Sequence, residues 1–172
     1  MICTEPFSRS ADYLTDRECF PGSTTDFMSA QAVLSAAPRP RQALRYGELI
    51  VTIEGTPPGW FQPTLDSLAK LLLLREDWDT YGAPPIDRAI VPAALQLAVD
   101  AFCDNTPAPA VVPTSSGGVQ YEWHTRGIDF EIEFCSPSRM RLYYEKTGAP
   151  AFEREVTHDF TELAGAIASL SL

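Results

Sequence analysis

Between Val119 and Tyr144 apolar and polar residues alternate with a period of two. Val119, Tyr121 and Trp123 alternate with Gln120, Glu122 and His124; Ile128, Phe130, Ile132 and Phe134 alternate with Asp129, Glu131 and Glu133. Successive side chains of a strand point to opposite faces, so the pattern predicts two strands with one apolar face each. Arg126-Gly127 supplies a two-residue turn that pairs Thr125 with Ile128. That pairing sets Trp123 opposite Phe130 and Tyr121 opposite Ile132, while His124 meets Asp129 and Gln120 meets Glu133. A slip of one residue would turn the acids inward, so burial of one face specifies the register. A third strand, Met140–Lys146, places Met140 opposite Phe134, Leu142 opposite Ile132, Tyr144 opposite Phe130 and Arg141 opposite Glu133. Ala151–Val156 is expected as a fourth strand.

Elsewhere the period changes. Tyr46–Glu54 reads as a strand, with Leu49, Val51 and Ile53 alternating with polar residues. Leu65, Leu68, Leu71, Leu72 and Leu74 stripe a helix expected to be capped by Thr64 and to run into Trp78. Trp78-Asp79-Thr80-Tyr81-Gly82-Ala83-Pro84-Pro85 is too rich in Gly and Pro to remain helical. Asp87 is expected to cap a second helix, whose wide stripe from Ile90 to Phe102 predicts deep burial; Pro92 predicts a kink or a later start. Ala110–Val112 can add a short edge strand. Asp159-Phe160-Thr161-Glu162 has the form of a capping box, and Phe160, Leu163, Ala164, Ile167 and Leu170 give the last helix its apolar face. Residues 1–44, punctuated by Pro6, Pro21, Pro38 and Pro40, read as a partly ordered arm with one short helix over Phe27–Ala36. Residues 45–172 then form a single α+β domain: an antiparallel β-meander of about four strands, with helices packed on one face and an acidic, wet opposite face.

Length and charge narrow this picture. A chain of 172 residues suits one self-sufficient core. Its 23 acidic and 13 basic residues give a formal net charge of -10. Such a chain is repelled by nucleic-acid phosphates and anionic membranes, and it suits a basic protein partner; the same charge would also serve solubility alone. Cys3, Cys19, Cys103 and Cys135 include no C-x-x-C pair, so they read as reduced thiols rather than a zinc ribbon. No leader is visible at the N-terminus and no run approaches the ~20 apolar residues of a membrane span, so the expected location is cytoplasmic.

Several segments together resemble a widespread family of small bacterial proteins with no assigned activity: Pro57-Pro58-Gly59-Trp60, Trp78-Asp79-Thr80-Tyr81-Gly82-Ala83, Pro113-Thr114-Ser115-Ser116-Gly117-Gly118-Val119-Gln120-Tyr121-Glu122-Trp123-His124 and Gly127–Ile132. The resemblance spans roughly residues 45–170 and leaves out the arm. It implies a family encoded in small operons, and hence a protein partner.

Two groups of residues are candidates for a site. Trp78, Asp79 and Tyr81 could form a protein-binding hot spot; alternatively Trp78 plugs the core while Asp79 satisfies loop N–H groups and Gly82 adopts positive φ. The polar sheet face comprises Gln120, Glu122, His124, Asp129, Glu131, Glu133, Arg141, Tyr143 and Glu145, of which Glu122, His124, Asp129, Glu131 and Tyr143 are the candidate contacts. His124 beside Asp129 could be an oriented base, and Glu122, Asp129 and Glu131 could serve a metal-assisted hydrolase. Alternation alone also puts charges on any solvated sheet face, although Glu122 facing Glu131 is unfavourable without a cation or a basic partner. No nucleophile elbow and no phosphate loop is present, and Cys103, His124, Cys135 and His158 contain no close ligand pair for zinc. The residues therefore point to no catalytic group, no cofactor and no metal. They point to a non-enzymatic interaction module, the accessory, inhibitory or antitoxin-like member of a small bacterial complex, touching its partner through these eight residues. The rivals are the hydrolase and a nucleic-acid mimic that fills a basic groove.

Overall fold

A computed structural model describes residues 41–46, 49–54, 56–157 and 161–170. The chain forms two compact units, Met1–Pro57 and Pro58–Leu172. In the first, β1 (Arg41–Tyr46) pairs antiparallel with β2 (Leu49–Glu54), Tyr46 opposite Leu49 and Leu44 opposite Val51. The strand expected at 46–54 is thus one arm of a two-stranded sheet of its own. Its mate Arg41-Gln42-Ala43-Leu44-Arg45-Tyr46 lacks the alternation that would announce it. The helix expected over Phe27–Ala36 lies outside the described residues.

The second unit is an α+β fold. Its five strands are β3 (Ala110–Pro113), β4 (Val119–Thr125), β5 (Ile128–Ser136), β6 (Arg139–Lys146) and β7 (Phe152–Val156), in that spatial order and all antiparallel. The sheet is the expected meander with the short edge strand added. Every cross-strand pair derived from the alternation is present, from Trp123 opposite Phe130 to Arg141 opposite Glu133. At the β4–β5 turn Arg126 and Gly127 have φ of 52° and 72°, the double positive φ that a primed hairpin turn demands. The β5–β6 register shifts between Phe134 and Ser136, so Cys135 is the extra residue of a bulge.

Three helices complete the unit: α1 (Phe61–Leu71), α2 (Ile90–Ala101) and α3 (Thr161–Ser169). α1 packs on β3, and α2 on β4, β5 and α3. The expected cap at Thr64 is corrected: the cap position is Trp60, four residues earlier, and the buried Thr64 hydroxyl donates to the Trp60 carbonyl at 2.7 Å. Pro63 is the third residue of α1 and Pro92 the third of α2. First-turn N–H groups have no intrahelical acceptor, so both prolines are accommodated without a kink. α1 also stops at Leu71 rather than reaching Trp78. Leu73 and Leu74 donate to carbonyls three residues back, tightening the last turn before a non-helical segment. α2 starts later than Asp87, whose carboxylate accepts the N–H of Ala89 at 3.0 Å. The capping box at Asp159 lies outside the described residues; Leu163, Ile167 and Leu170 of the last helical segment are buried.

Trp60, Leu65, Leu68, Leu97, Tyr121, Phe130, Ile132, Phe134, Leu163 and Ile167 are almost wholly buried. Each large side chain removed from water in this way stabilises the fold by roughly 1.5–3 kcal/mol. The tryptophans also satisfy their N–H groups: Trp60 donates to the Cys103 carbonyl at 3.0 Å and Trp123 to the Pro107 carbonyl at 2.7 Å. The Tyr121 hydroxyl is buried without a hydrogen-bond partner, and burial pushes its pKa far up. Cys103 corrects the expectation of four reduced thiols, being disulfide-bonded; Cys135 is the free cysteine among the described residues. No helix among the described residues is long and apolar enough to cross a membrane.

Candidate functional site

The register that buries Tyr121, Phe130 and Ile132 also decides what stands on the opposite face. Gln120, Glu122 and His124 of β4 face Glu133, Glu131 and Asp129 of β5. These face Arg141, Tyr143 and Glu145 of β6, and Arg141 and Tyr143 face Glu155 and Glu153 of β7. With Arg139, this face carries seven carboxylates against two arginines, a formal excess of five negative charges when His124 is neutral. The sequence pattern identified the β4–β6 part of it. It missed the contribution of β7, although Glu153 and Glu155 continue the same period-two phase as Arg141 and Tyr143.

The side chains of this face form a connected set. His124 Nδ1 lies 2.9 Å from Asp129 Oδ1, and its Nε2 lies 3.5 Å from Glu122 Oε2. The hydrogen bond to Asp129, supported by Glu122, raises the His124 pKa above its ordinary value. Gln120 Nε2 donates to Glu122 Oε1 at 3.0 Å and to Glu131 Oε2 at 2.9 Å. One amide thus bridges the two glutamates that face each other; the alternation places Gln120 on this face but does not reveal these two bonds. Partial burial, and then the Glu122 charge, raise the Glu131 pKa. Arg141 reaches Glu133 at 3.1 Å and Glu153 at 3.3 Å, and Arg139 reaches Glu155 at 3.5 Å. The Tyr143 hydroxyl donates to Glu145 at 2.6 Å, which raises the phenol pKa. A shallow depression of about 310 Å³ is lined by Gln120, Glu131, Glu133, Arg141, Tyr143 and Glu153.

The Trp78 loop is organised differently. The Asp79 carboxylate accepts the N–H groups of Tyr81 at 2.8 Å and Ala83 at 3.0 Å, and these two bonds hold its pKa below the ordinary carboxylate value. Asp77 accepts the Gly82 N–H, and its own N–H donates to the Ala83 carbonyl. Trp78, half-buried, donates to the Pro84 carbonyl at 3.2 Å. Asp77, Thr80 and Gly82 have φ of 62°, 65° and 88°. Asp79 and Gly82 thus do what loop closure requires, and the polar groups of the loop are used to hold it. Tyr81 stands apart at 92% exposure.

The arrangement of the acidic face bears on its chemistry. No group of three His, Cys, Asp or Glu among the described residues is arranged to hold a metal ion. Glu122 and Glu131 are tied to Gln120, and Asp129 to His124. The His124–Asp129 pair has the form of an oriented base, but it lies in the open, each side chain about half exposed. No family model, curated protein or solved structure matches the chain.

Proposed function

We propose that this protein is a non-enzymatic interaction module whose acidic sheet face binds a basic surface of a protein partner, as the accessory or inhibitory member of a small complex. The observation that carries this reading is the Glu122–Glu131 pair. Two like charges facing each other across a sheet destabilise it, and Gln120 bridges them without neutralising either. A cation supplied by a partner relieves that repulsion, whereas a face shaped only for solubility has no reason to keep it. Arg141 and Arg139 hold the surrounding glutamates in place, so the surface is ordered before a partner arrives, which lowers the entropy cost of association. The metal-assisted hydrolase has no comparable support, because its three carboxylates are not arranged as a ligand set.

The test begins with a partner captured from the source cell and purified. Its affinity for the full chain should fall steeply as salt rises, since electrostatic complementarity is screened. Changing Glu131 and Glu133 together to Lys should weaken binding roughly tenfold or more, about 1.4 kcal/mol. Binding that survives both the salt and the charge reversal would sink the proposal. A partner that itself binds DNA or RNA, and is displaced by it, would identify the complex as nucleic-acid mimicry.

A further inference from the structure

The two edges of the five-stranded sheet are not equivalent. β3 carries Pro113, follows Pro107 and Pro109, and is packed by α1. Proline lacks the N–H that a neighbouring strand would need, so this edge is closed to further pairing. β7 contains no proline, and among the described residues only β6 pairs with it. Phe152 to Glu155 are all exposed. Phe152 is the outer rung of an aromatic ladder: it stacks on Tyr144 at a centroid distance of 5.4 Å, and Tyr144 meets Phe130 edge-on at 6.0 Å. It remains 46% exposed.

An exposed edge that no described residue outside β6 pairs with invites another strand, and its side chains decide which one. A second copy of β7 fits badly. In a two-fold antiparallel pairing that keeps the polar face continuous, residues of like parity face each other. Centred on Arg154, the arginine meets itself and Glu153 meets Glu155. Centred on Glu153 or Glu155, that glutamate meets itself. Each of these three registers, the ones that keep at least three residues of β7 paired with its copy, sets like charges opposite one another, which is unfavourable. A strand with cations at alternate positions meets Glu153 and Glu155 instead. These two glutamates are incompletely neutralised, because Arg141 is shared between Glu133 and Glu153, and Arg139 reaches Glu155 only at 3.5 Å.

We infer that β7 is a docking edge for an extended segment of another protein, with Lys or Arg at alternate positions facing Glu153 and Glu155 and an apolar side chain beside Phe152. This rests on the basic-partner reading above and adds the edge and the backbone conformation. The added strand would extend the sheet and carry its cations onto the acidic face.

Three acetylated, amidated Lys-Val-Lys-Val-Lys peptides test it against the isotopically labelled full chain. One is unmodified, and the other two are N-methylated on one or the other alternate set of amides. The edge predicts that the unmodified peptide binds and slows exchange of alternate β7 amides at least tenfold. One methylated isomer should lose at least tenfold in affinity while the other retains it, since only one set of amides faces β7. The double variant Glu153→Lys, Glu155→Lys should bind the unmodified peptide more weakly and gain affinity for Glu-Val-Glu-Val-Glu. Equal binding of all three peptides without protection of β7 would overturn the edge and leave the acidic face intact. Failure of all three to bind would overturn both.

Discussion

Replacing Glu131 by Gln isolates the cost of the acidic face. Gln120 Nε2 lies 3.0 Å from one oxygen of Glu122 and 2.9 Å from one of Glu131, so those oxygens are at most about 5.9 Å apart. At that separation two unit charges repel by roughly 0.7 kcal/mol in bulk water and about 3 kcal/mol at an effective dielectric constant of 20. The Gln120 hydrogen bonds and partial exposure favour the lower figure, in line with the ~0.2–1 kcal/mol of cross-strand pairs. The amide oxygen of the substituted side chain can still accept from Gln120, so little else is lost. Glu131→Gln should therefore stabilise the protein by about 0.5–1 kcal/mol at pH 7, or roughly 1–4 °C in melting temperature.

The pH dependence gives the sharper test. The Glu131 pKa is raised in the folded state, first by burial and then by Glu122. The folded state therefore holds this proton more tightly than the unfolded chain, and stability falls as pH rises from the ordinary value of 4.5 through the folded value. The advantage of the Gln variant should be full at pH 7 and should vanish below that window, where Glu131 is itself neutral in both states. Urea unfolding of wild type and variant at pH 3.5, 5 and 7 measures it. An advantage that is absent at pH 7, or equally large at pH 3.5, would refute the reasoning from like-charge repulsion.

Three further perturbations address other parts of the fold. His124 has a raised pKa, so its pairing with Asp129 and Glu122 contributes stability that is fully present below the ordinary value of 6.5 and lost as pH rises through the folded value; His124→Gln should flatten that slope, by no more than about 1 kcal/mol for so exposed a pair, and a ring-proton titration by NMR should place the wild-type midpoint above 6.5. Asp79→Ala removes the acceptor of two backbone N–H groups and should loosen the loop, read as faster exchange of the Tyr81 and Ala83 amides than in the wild type, with β4 and β5 unchanged. Gly118→Ala would set a Cβ 2.7 Å from the Phe134 carbonyl oxygen and 2.6 Å from Thr114 Oγ1; the carbonyl belongs to a core strand and cannot move aside, so a loss of about 1–3 kcal/mol in a denaturation midpoint is expected.

What could be read from the chain depended on how strongly burial constrains it. The β4–β6 register was legible to the residue because Tyr121, Ile132 and Leu142 must go inward, and a shift of one would bury Glu122, Glu131 and Arg141 instead. Helix termini were less legible. Thr64 has the residue type of a cap, yet burial of Trp60, Phe61 and Leu65 moved the start of α1 forward, and Pro63 fitted the first turn that resulted. β1 carried no periodic signal because Arg41 to Tyr46 do not alternate. On the acidic face the residues and their opposition could be derived, but side-chain bonding could not. Gln120 has several rotamers, and its bridging of Glu122 and Glu131 depends on torsions that no periodicity encodes.

The two faces of this sheet answer to different constraints, which is why the acidic one can be reasoned about separately. Inward residues such as Phe130 and Ile132 make many contacts, and their truncation to Ala costs about 2–5 kcal/mol, so they are fixed by the fold whatever the protein does. Outward residues such as Glu131 and Glu133 contribute little to stability, and Glu131 opposes it. An outward residue that costs stability and yet could be replaced by Gln without disturbing its hydrogen bond is not explained by folding. Solubility does not explain it either, since a carboxylate elsewhere on the surface would serve as well without facing Glu122. The binding surface proposed above would explain it, because at neutral pH a partner's cation would relieve the repulsion between Glu122 and Glu131. On that proposal, Glu131→Gln should stabilise the isolated protein and weaken its binding to a basic partner, and the two effects should share a sensitivity to salt.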